Sequence, residues 1–240
     1  MKNIETLNDS LKAAFQSEYM FIIIGQSGAG KGTVMKALVD KYRSLFPKKF
    51  WQFWKKSPPY LCLETGQLLR EEIPKMSDWN RVRLKERQVA GKLQSWSIAS
   101  CLWKAKFLKH YKGGPIFVDG SPRSEDEVYE ITEFYQNYAK KEIIVFYLQI
   151  DDEEADRRMV IRNDELHLAH QPIRQDTATP QARREKLLFF HADVESAIEL
   201  LAEEEGVWVA DIDATQDKET VEYQVFDALA AYVEFNNGIS

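Results

Sequence analysis

The stretch Met20-Phe21-Ile22-Ile23-Ile24-Gly25-Gln26-Ser27-Gly28-Ala29-Gly30-Lys31-Gly32-Thr33 decides how this chain is read. Its first five residues are apolar, mostly β-branched or aromatic, which is the signature of a buried strand. After Thr33, the residues Val34, Ala37 and Leu38 recur at helical spacing. A glycine-rich turn joins the two. Glycine lets a backbone curl so that several N–H groups point at one anion, and the helix N-terminus adds positive partial charge. Gly25, Ser27, Gly28, Ala29, Gly30, Lys31, Gly32 and Thr33 therefore read as a phosphate cradle. Lys31 is the residue expected to reach the β- and γ-phosphates of a nucleoside triphosphate. The general pattern puts Ser or Thr directly after the lysine to hold Mg²⁺. Here Gly32 intervenes and the hydroxyl comes at Thr33.

The chain has 240 residues, 44% of them hydrophobic and 29% charged, enough for one sizeable core. A net charge of −6 argues against a nucleic-acid backbone as partner, while leaving room for a local basic cleft. No apolar run approaches the ~20 residues of a membrane span, and residues 1–10 are polar, without an apolar signal core. Cys62 and Cys101 lack metal-ligand spacing and suit free thiols in a reducing compartment. A cytoplasmic monomer that binds small molecules, neither nucleic acid nor membrane, is expected.

Residues 1–19 read as a short helix with Leu7, Leu11, Ala14 and Phe15 on one face. The helix after the glycine loop runs to about Tyr42. Residues 43–59 are basic and aromatic and end in Pro58-Pro59; they read as packing aromatics or as a partner or lid surface. Further strands are expected at 60–63, 115–119, 143–148 and 207–212, with helices between them. Residues 71–112 read as helical, broken near Pro74 and Gly91. Strands alternating with helices imply an α/β fold with a parallel sheet covered on both faces.

Asp119-Gly120-Ser121-Pro122-Arg123 falls at the end of an expected strand, the edge where open α/β sheets bind ligands. Asp119 there suits a Mg²⁺-bound water and Arg123 a phosphate, although Asp-Gly and Pro also simply make turns. Thr65-Gly66 precedes Arg70, and Gly91-Lys92-Leu93 follows later. Arg158 and Arg162, four apart, share one helix face. Residues 163–173 read as a polar loop containing Pro172, followed by Arg174-Gln175-Asp176.

These motifs, in this order over roughly residues 20–233, resemble the adenylate kinase family of nucleoside monophosphate kinases. The resemblance implies a P-loop kinase fold with a five-stranded parallel sheet. Its core would be about 1–42, 96–162 and 176–240, its helical acceptor-binding insert about 43–95, and its lid about 163–175. The lid would be the short type, without zinc-binding cysteines. The resemblance also implies residue roles. Arg70 and Arg123 would grip the acceptor phosphate, Thr65 and Lys92 would lie near the acceptor base, and Arg158 would stack on the ATP base. Arg162 would meet the transferring phosphoryl group and Arg174, at the end of the lid, would bind substrate and help neutralise charge, with Mg²⁺ held largely through phosphates and waters.

The chain also departs from the family. Its connection at 43–59 is longer. Ser121 stands where the family has Phe. The family's arginine after the lid is replaced by Lys186, with Arg183 one turn earlier as the alternative bearer of that role. Glu127 stands where most members have a base-reading Gln. An ionised carboxylate only accepts hydrogen bonds. Glu127 is therefore expected to meet a base amino group, to be protonated by burial, to be out of register by one helix position, or to turn to solvent as an exposed helix residue and leave the base to backbone near Gly91–Gln94. The implied reaction is transfer from Mg-ATP to AMP giving two ADP. The alternatives are another acceptor (GMP, CMP or UMP), a different small metabolite, or a non-catalytic nucleotide-binding module.

Overall fold

A computed structural model of the chain describes residues 4–17, 19–47, 59–89 and 94–236. The first strand, β1 (Met20–Gly25), is buried along its whole length. It pairs in parallel with β3 (Ile116–Asp119) on one side and β4 (Ile143–Gln149) on the other, so that Ile22 faces Val118 and Val145. β2 (Leu61–Glu64) adds outside β3, and β5 (Val207–Asp213) adds outside β4. The sheet is five-stranded and all parallel, in the order β2-β3-β1-β4-β5.

Alternation along β1 divides the core in two. Phe21 and Ile23 pack with Leu11 and Phe15 of α1 (Ile4–Gln16), Leu38 of α2 (Lys31–Leu45), and Val225 and Leu229 of α10 (Lys218–Asn236). Met20, Ile22 and Ile24 face the opposite layer. There they meet Trp103 of α5 (Trp96–His110), Val128 of α6 (Glu125–Thr132), and Ile198 and Leu201 of α9 (Glu195–Glu203). The remaining helices are α3 (Thr65–Glu72), α4 (Asp78–Val89), α7 (Asp152–Leu168) and α8 (Pro180–Phe189). A short 3-10 turn at Ile73–Lys75, containing Pro74, separates α3 from α4.

One expectation is corrected. Residues 163–173 do not form a continuous loop, because α7 continues to Leu168. Residues 163–168 contain neither Gly nor Pro, so nothing local stops the helix. It ends where His170 adopts a left-handed φ of 53°, two residues before Pro172. Likewise α2 runs on to Leu45, short of Pro47. Residues 48–58, most of the aromatic and basic segment, lie outside the described residues.

Since β1 has neighbours reached in opposite directions, a crevice opens at the C-terminal ends of the strands. The glycine loop, Thr65, Asp119 and Ala214 all follow strand ends on that edge. No helix among the described residues is long and apolar enough to cross a membrane.

Candidate active site

The loop after β1 is shaped by close backbone approach. Gly25 has φ +147°, and a Cβ there would lie 2.5 Å from the Leu148 carbonyl oxygen. Gly28 has φ +100°, and a Cβ would lie 2.7 Å from the Ala155 carbonyl oxygen. Larger residues would clash with β4 and α7 as well as strain the chain. Lys31, the first residue of α2, folds back over the loop and donates to the carbonyls of Gly25 (2.8 Å) and Gln26 (2.7 Å).

This loop forms one wall of a cleft of about 540 Å³. Ser27, Gly28, Gly30, Lys31, Gly32 and Thr33 line that wall. Facing it are Glu64, Gly66 and Arg70 from β2 and α3, with Asp119, Gly120 and Arg123 from the end of β3. The third side comes from Arg158 and Arg162 of α7, from Arg174 and Asp176 between α7 and α8, and from Lys186 of α8. Seven cationic side chains thus share one cavity with four carboxylates, Glu64, Asp119, Glu165 and Asp176.

Arg70 and Arg123 converge. A Cβ built on Gly66 would lie 3.4 Å from Arg70 Nη1 and 3.9 Å from Arg123 Nη2. Two guanidiniums over one glycine present paired donors of the geometry that suits an oxyanion. Arg158 is held against the loop after β5. It pairs with Glu154, and its Nη1 donates to the Ala214 carbonyl at 2.8 Å. A side cavity of about 260 Å³ lies there, between Gly30, Arg158, Ala214, Gln216 and Val221. Arg162 reaches Thr177 Oγ1 at 3.4 Å, and its buried Nε has no hydrogen-bond partner among the described residues. Lys186 pairs with Asp176 at 2.8 Å inside the cleft. Arg183 does not join them: its Nε donates to Asp156 Oδ1 at 2.6 Å.

The crowding of positive charge has electrostatic consequences. Burial is the main cause that lowers Lys31 to about 8; Asp119 opposes it, and Arg123, Lys186 and Arg162 add repulsion. Burial, then Arg174, lowers Arg162 to about 10. Burial likewise pulls Arg70 and Lys186 down, although Asp176 supports Lys186. Burial works against ionisation of Asp176, yet Lys186, Arg174 and Arg162 hold it below the ordinary aspartate value. A site that destabilises its own cations is matched to a polyanion.

Glu127 is neither brought to the cleft nor turned to solvent, against both of those expectations. It is 1% exposed, and both carboxylate oxygens are engaged internally. Oε1 accepts from Ser121 Oγ at 2.5 Å and Oε2 from the Arg123 N–H at 2.8 Å. Ser121 Oγ in turn lies 2.9 Å from Thr65 Oγ1, so Thr65 is buried beneath the site rather than lining it. The Gly91-Lys92-Leu93 motif lies outside the described residues. The structure adds residues that had no spacing signature in sequence: Glu64 and Ala214 reach the site only through the fold, while Gln94, at the end of the segment expected to hold the base, also lines the cleft.

Among the described residues no three His, Cys, Asp or Glu side chains form a metal cluster. Asp119 and Thr33 both line the cleft and offer the hard oxygen donors that Mg²⁺ prefers. A magnesium ion there would complete its shell with phosphate oxygens and waters, which fits a cation that arrives with the nucleotide.

A parallel sheet with a glycine loop leading from β1 into α2, and basic side chains across the strand ends, defines a P-loop phosphate-binding protein of the kinase type. No protein-family model matches the chain. It is similar to the adenylate kinases of two Prochlorococcus marinus strains. One is 28% identical over 164 residues, covering 66% of this chain and 80% of that protein. The other is 32% identical over 141 residues, covering 59% and 66%. It is also similar to an adenylate kinase of Malassezia globosa, 25% identical over 251 aligned positions, covering 95% of this chain and 89% of that one. The chain belongs to the adenylate kinase family of nucleoside monophosphate kinases.

Proposed function

We propose that the protein transfers the γ-phosphoryl group of Mg-ATP reversibly to AMP, giving two ADP. The single observation that carries this reading is the convergence of Arg70 and Arg123 over Gly66, across the cleft from the glycine loop and Lys31. A cleft with one anion cradle suits a nucleotide-binding module. A cleft with two facing anion sites suits transfer between two phosphates.

In this reading the ATP phosphates lie on the loop from Gly25 to Thr33, with Arg158 and the side cavity near Ala214 receiving the base. Arg70 and Arg123 hold the acceptor phosphate. Phosphoryl transfer asks little covalent work of the protein, so catalysis is alignment and neutralisation of charge. Lys31, Arg162, Arg174 and Lys186 span the gap between the two phosphate sites and meet the charge that spreads over the transferring group. Mg²⁺, when bound, supplies further charge neutralisation, with Asp119 and Thr33 as the donors on this chain. Movement of α3 and α4, and of the short connection 169–174, would exclude water from the loaded cleft.

The test is a coupled assay of ADP release with ATP and a panel of ribo- and deoxy-monophosphates, with calorimetric titration of each nucleotide. AMP is expected to be the best acceptor. Arg123→Ala should weaken monophosphate binding strongly and ATP binding little. Saturable ATP binding with no turnover on any monophosphate would overturn the kinase reading. Equal loss of both ligands in Arg123→Ala would remove Arg123 from the acceptor site.

A further inference from the structure

Gln26 sits in the glycine loop but does not line the cleft, and it is 4% exposed. Its backbone carbonyl accepts from Lys31 Nζ at 2.7 Å, beside the Gly25 carbonyl at 2.8 Å. An ammonium has three hydrogens, so two are aimed at these carbonyls and one is left for a phosphate. The place of the Gln26 carbonyl therefore sets where Lys31 presents its remaining hydrogen.

The Gln26 side chain is fixed from outside the loop. Its Nε2 donates to Asp152 Oδ1 at 2.8 Å, in the first turn of α7. Its Oε1 is buried with no partner among the described residues, so the amide is anchored through its nitrogen. His191 Nε2 lies 2.9 Å from the same Asp152 oxygen. His191 stands in Phe190–Val194, a π-helical turn between α8 and α9, a form that recurs at functional sites. Its Nδ1 lies 2.9 Å from Glu195 Oε1 of α9. Asp152 and Glu195 are the charged groups that meet the ring, and Phe190 is its aromatic neighbour. Both ring nitrogens thus face carboxylate oxygens. Ionised carboxylates only accept, so the imidazolium alone donates to both. The hydrogen bond with Asp152, then that with Glu195, raises His191 above its ordinary value of 6.5. The pair is exposed and adds little to stability; its consequence is geometric.

We infer that Asp152 and His191 are positioning residues for phosphoryl transfer, acting through Gln26 to aim Lys31 at the reacting phosphates. This rests on the proposed transfer reaction and names what aligns its lysine. Neutral His191 carries one N–H for two carboxylates, so its hold on Asp152 weakens as pH rises through its titration. A lysine displaced by about an ångström or less lowers kcat more than it lowers nucleotide affinity.

Asp152→Ala cuts the chain at the surface of α7. It should lower kcat at pH 6 at least about fivefold, with KM for ATP and AMP within about twofold and the thermal midpoint little changed. For His191→Leu, the wild-type to variant ratio of kcat should be at least about threefold at pH 6 and fall toward one at pH 9. Restored kcat in His191→Arg, a permanent cation with donors for both carboxylates, would support the assignment. The double variant of Asp152→Ala and His191→Leu should be no worse than Asp152→Ala, because both act on one chain. A kcat of Asp152→Ala within about twofold of wild type, a ratio for His191→Leu that does not change with pH, or additive losses in the double variant would overturn the inference. If the wild-type protein turns over no monophosphate, the kinase reading fails by itself. The phosphorus NMR signals of bound ATP then decide the positioning role. Movement of the β- and γ-phosphate signals in Asp152→Ala toward those of Lys31→Met supports it, and unchanged signals refute it.

Discussion

Ser121 Oγ donates to Glu127 Oε1 over 2.5 Å, and these are two positions at which the chain departs from the adenylate kinase motif. The departures belong together. A hydroxyl in place of an aromatic ring gives the carboxylate a partner and the space to turn inward. The same carboxylate accepts from the Arg123 N–H, and Ser121 contacts Thr65 at the start of α3. One buried network therefore ties the segments carrying Arg123 and Arg70 to each other, and Glu127 acts as a positioning residue rather than a reader of the base.

This arrangement predicts a pH signature for Glu127→Gln. Burial raises the Glu127 carboxyl above its ordinary value, against the lowering effect of Ser121 and Arg123. Folded protein then binds this proton more tightly than unfolded protein. Wild-type stability is therefore lost as pH rises from the ordinary glutamate value of about 4.3 through the raised folded value. The neutral amide lacks this loss. Urea unfolding from pH 4.5 to 8 should show the variant gaining on wild type as pH rises and then levelling off. A constant difference across the range would mean that Glu127 is not perturbed.

Lys31→Met should lower kcat by a factor on the order of 10²–10³ with the fold intact, as expected for removal of a preorganised charge at the transferring group. Its ligand-free stability carries a second readout. Burial lowers Lys31 from 10.5 to about 8, so between those values unfolded protein holds more protons. Stability of wild type should rise with pH through that window, and the methionine variant should lack that component. Retention of more than about a tenth of kcat would show that Lys31 does not meet the reacting phosphate, a tenfold change being only about 1.4 kcal/mol.

Lys186 and Arg183 should separate cleanly. Lys186→Ala removes a cation from the cleft and leaves Asp176 facing Arg162 and Arg174 without its nearest partner, so kcat should fall by at least about tenfold. Arg183→Ala removes a pair with Asp156 between α7 and α8 that faces away from the reacting phosphates. Its kcat should stay within about threefold of wild type, less than a lost transition-state contact costs. Steady-state kinetics of both variants at saturating ATP would decide, and a larger loss in Arg183→Ala would transfer the role.

The local chemistry of the chain settles a good deal. Apolar, β-branched runs such as Ile22-Ile23-Ile24 and Ile143-Ile144-Val145 read as strands buried on both faces, and the glycines and Lys31 between strand and helix read as a phosphate loop. Those features are read from neighbours in sequence, because backbone conformation and hydrophobic period are local properties. The direction of a long polar side chain is not local. Lys186 and Arg183 are three residues apart on one helix, and what separates them is Asp176 on one side and Asp156 on the other. Glu127 is turned inward by Ser121 and the Arg123 backbone, and Gln94 is oriented by a carbonyl of α4. The sequence by itself determined the sheet, the loop and the inventory of cations. Tertiary packing decided which of them share the cleft, since a charged or amide group goes wherever a partner ends its desolvation cost, and those partners come from distant segments.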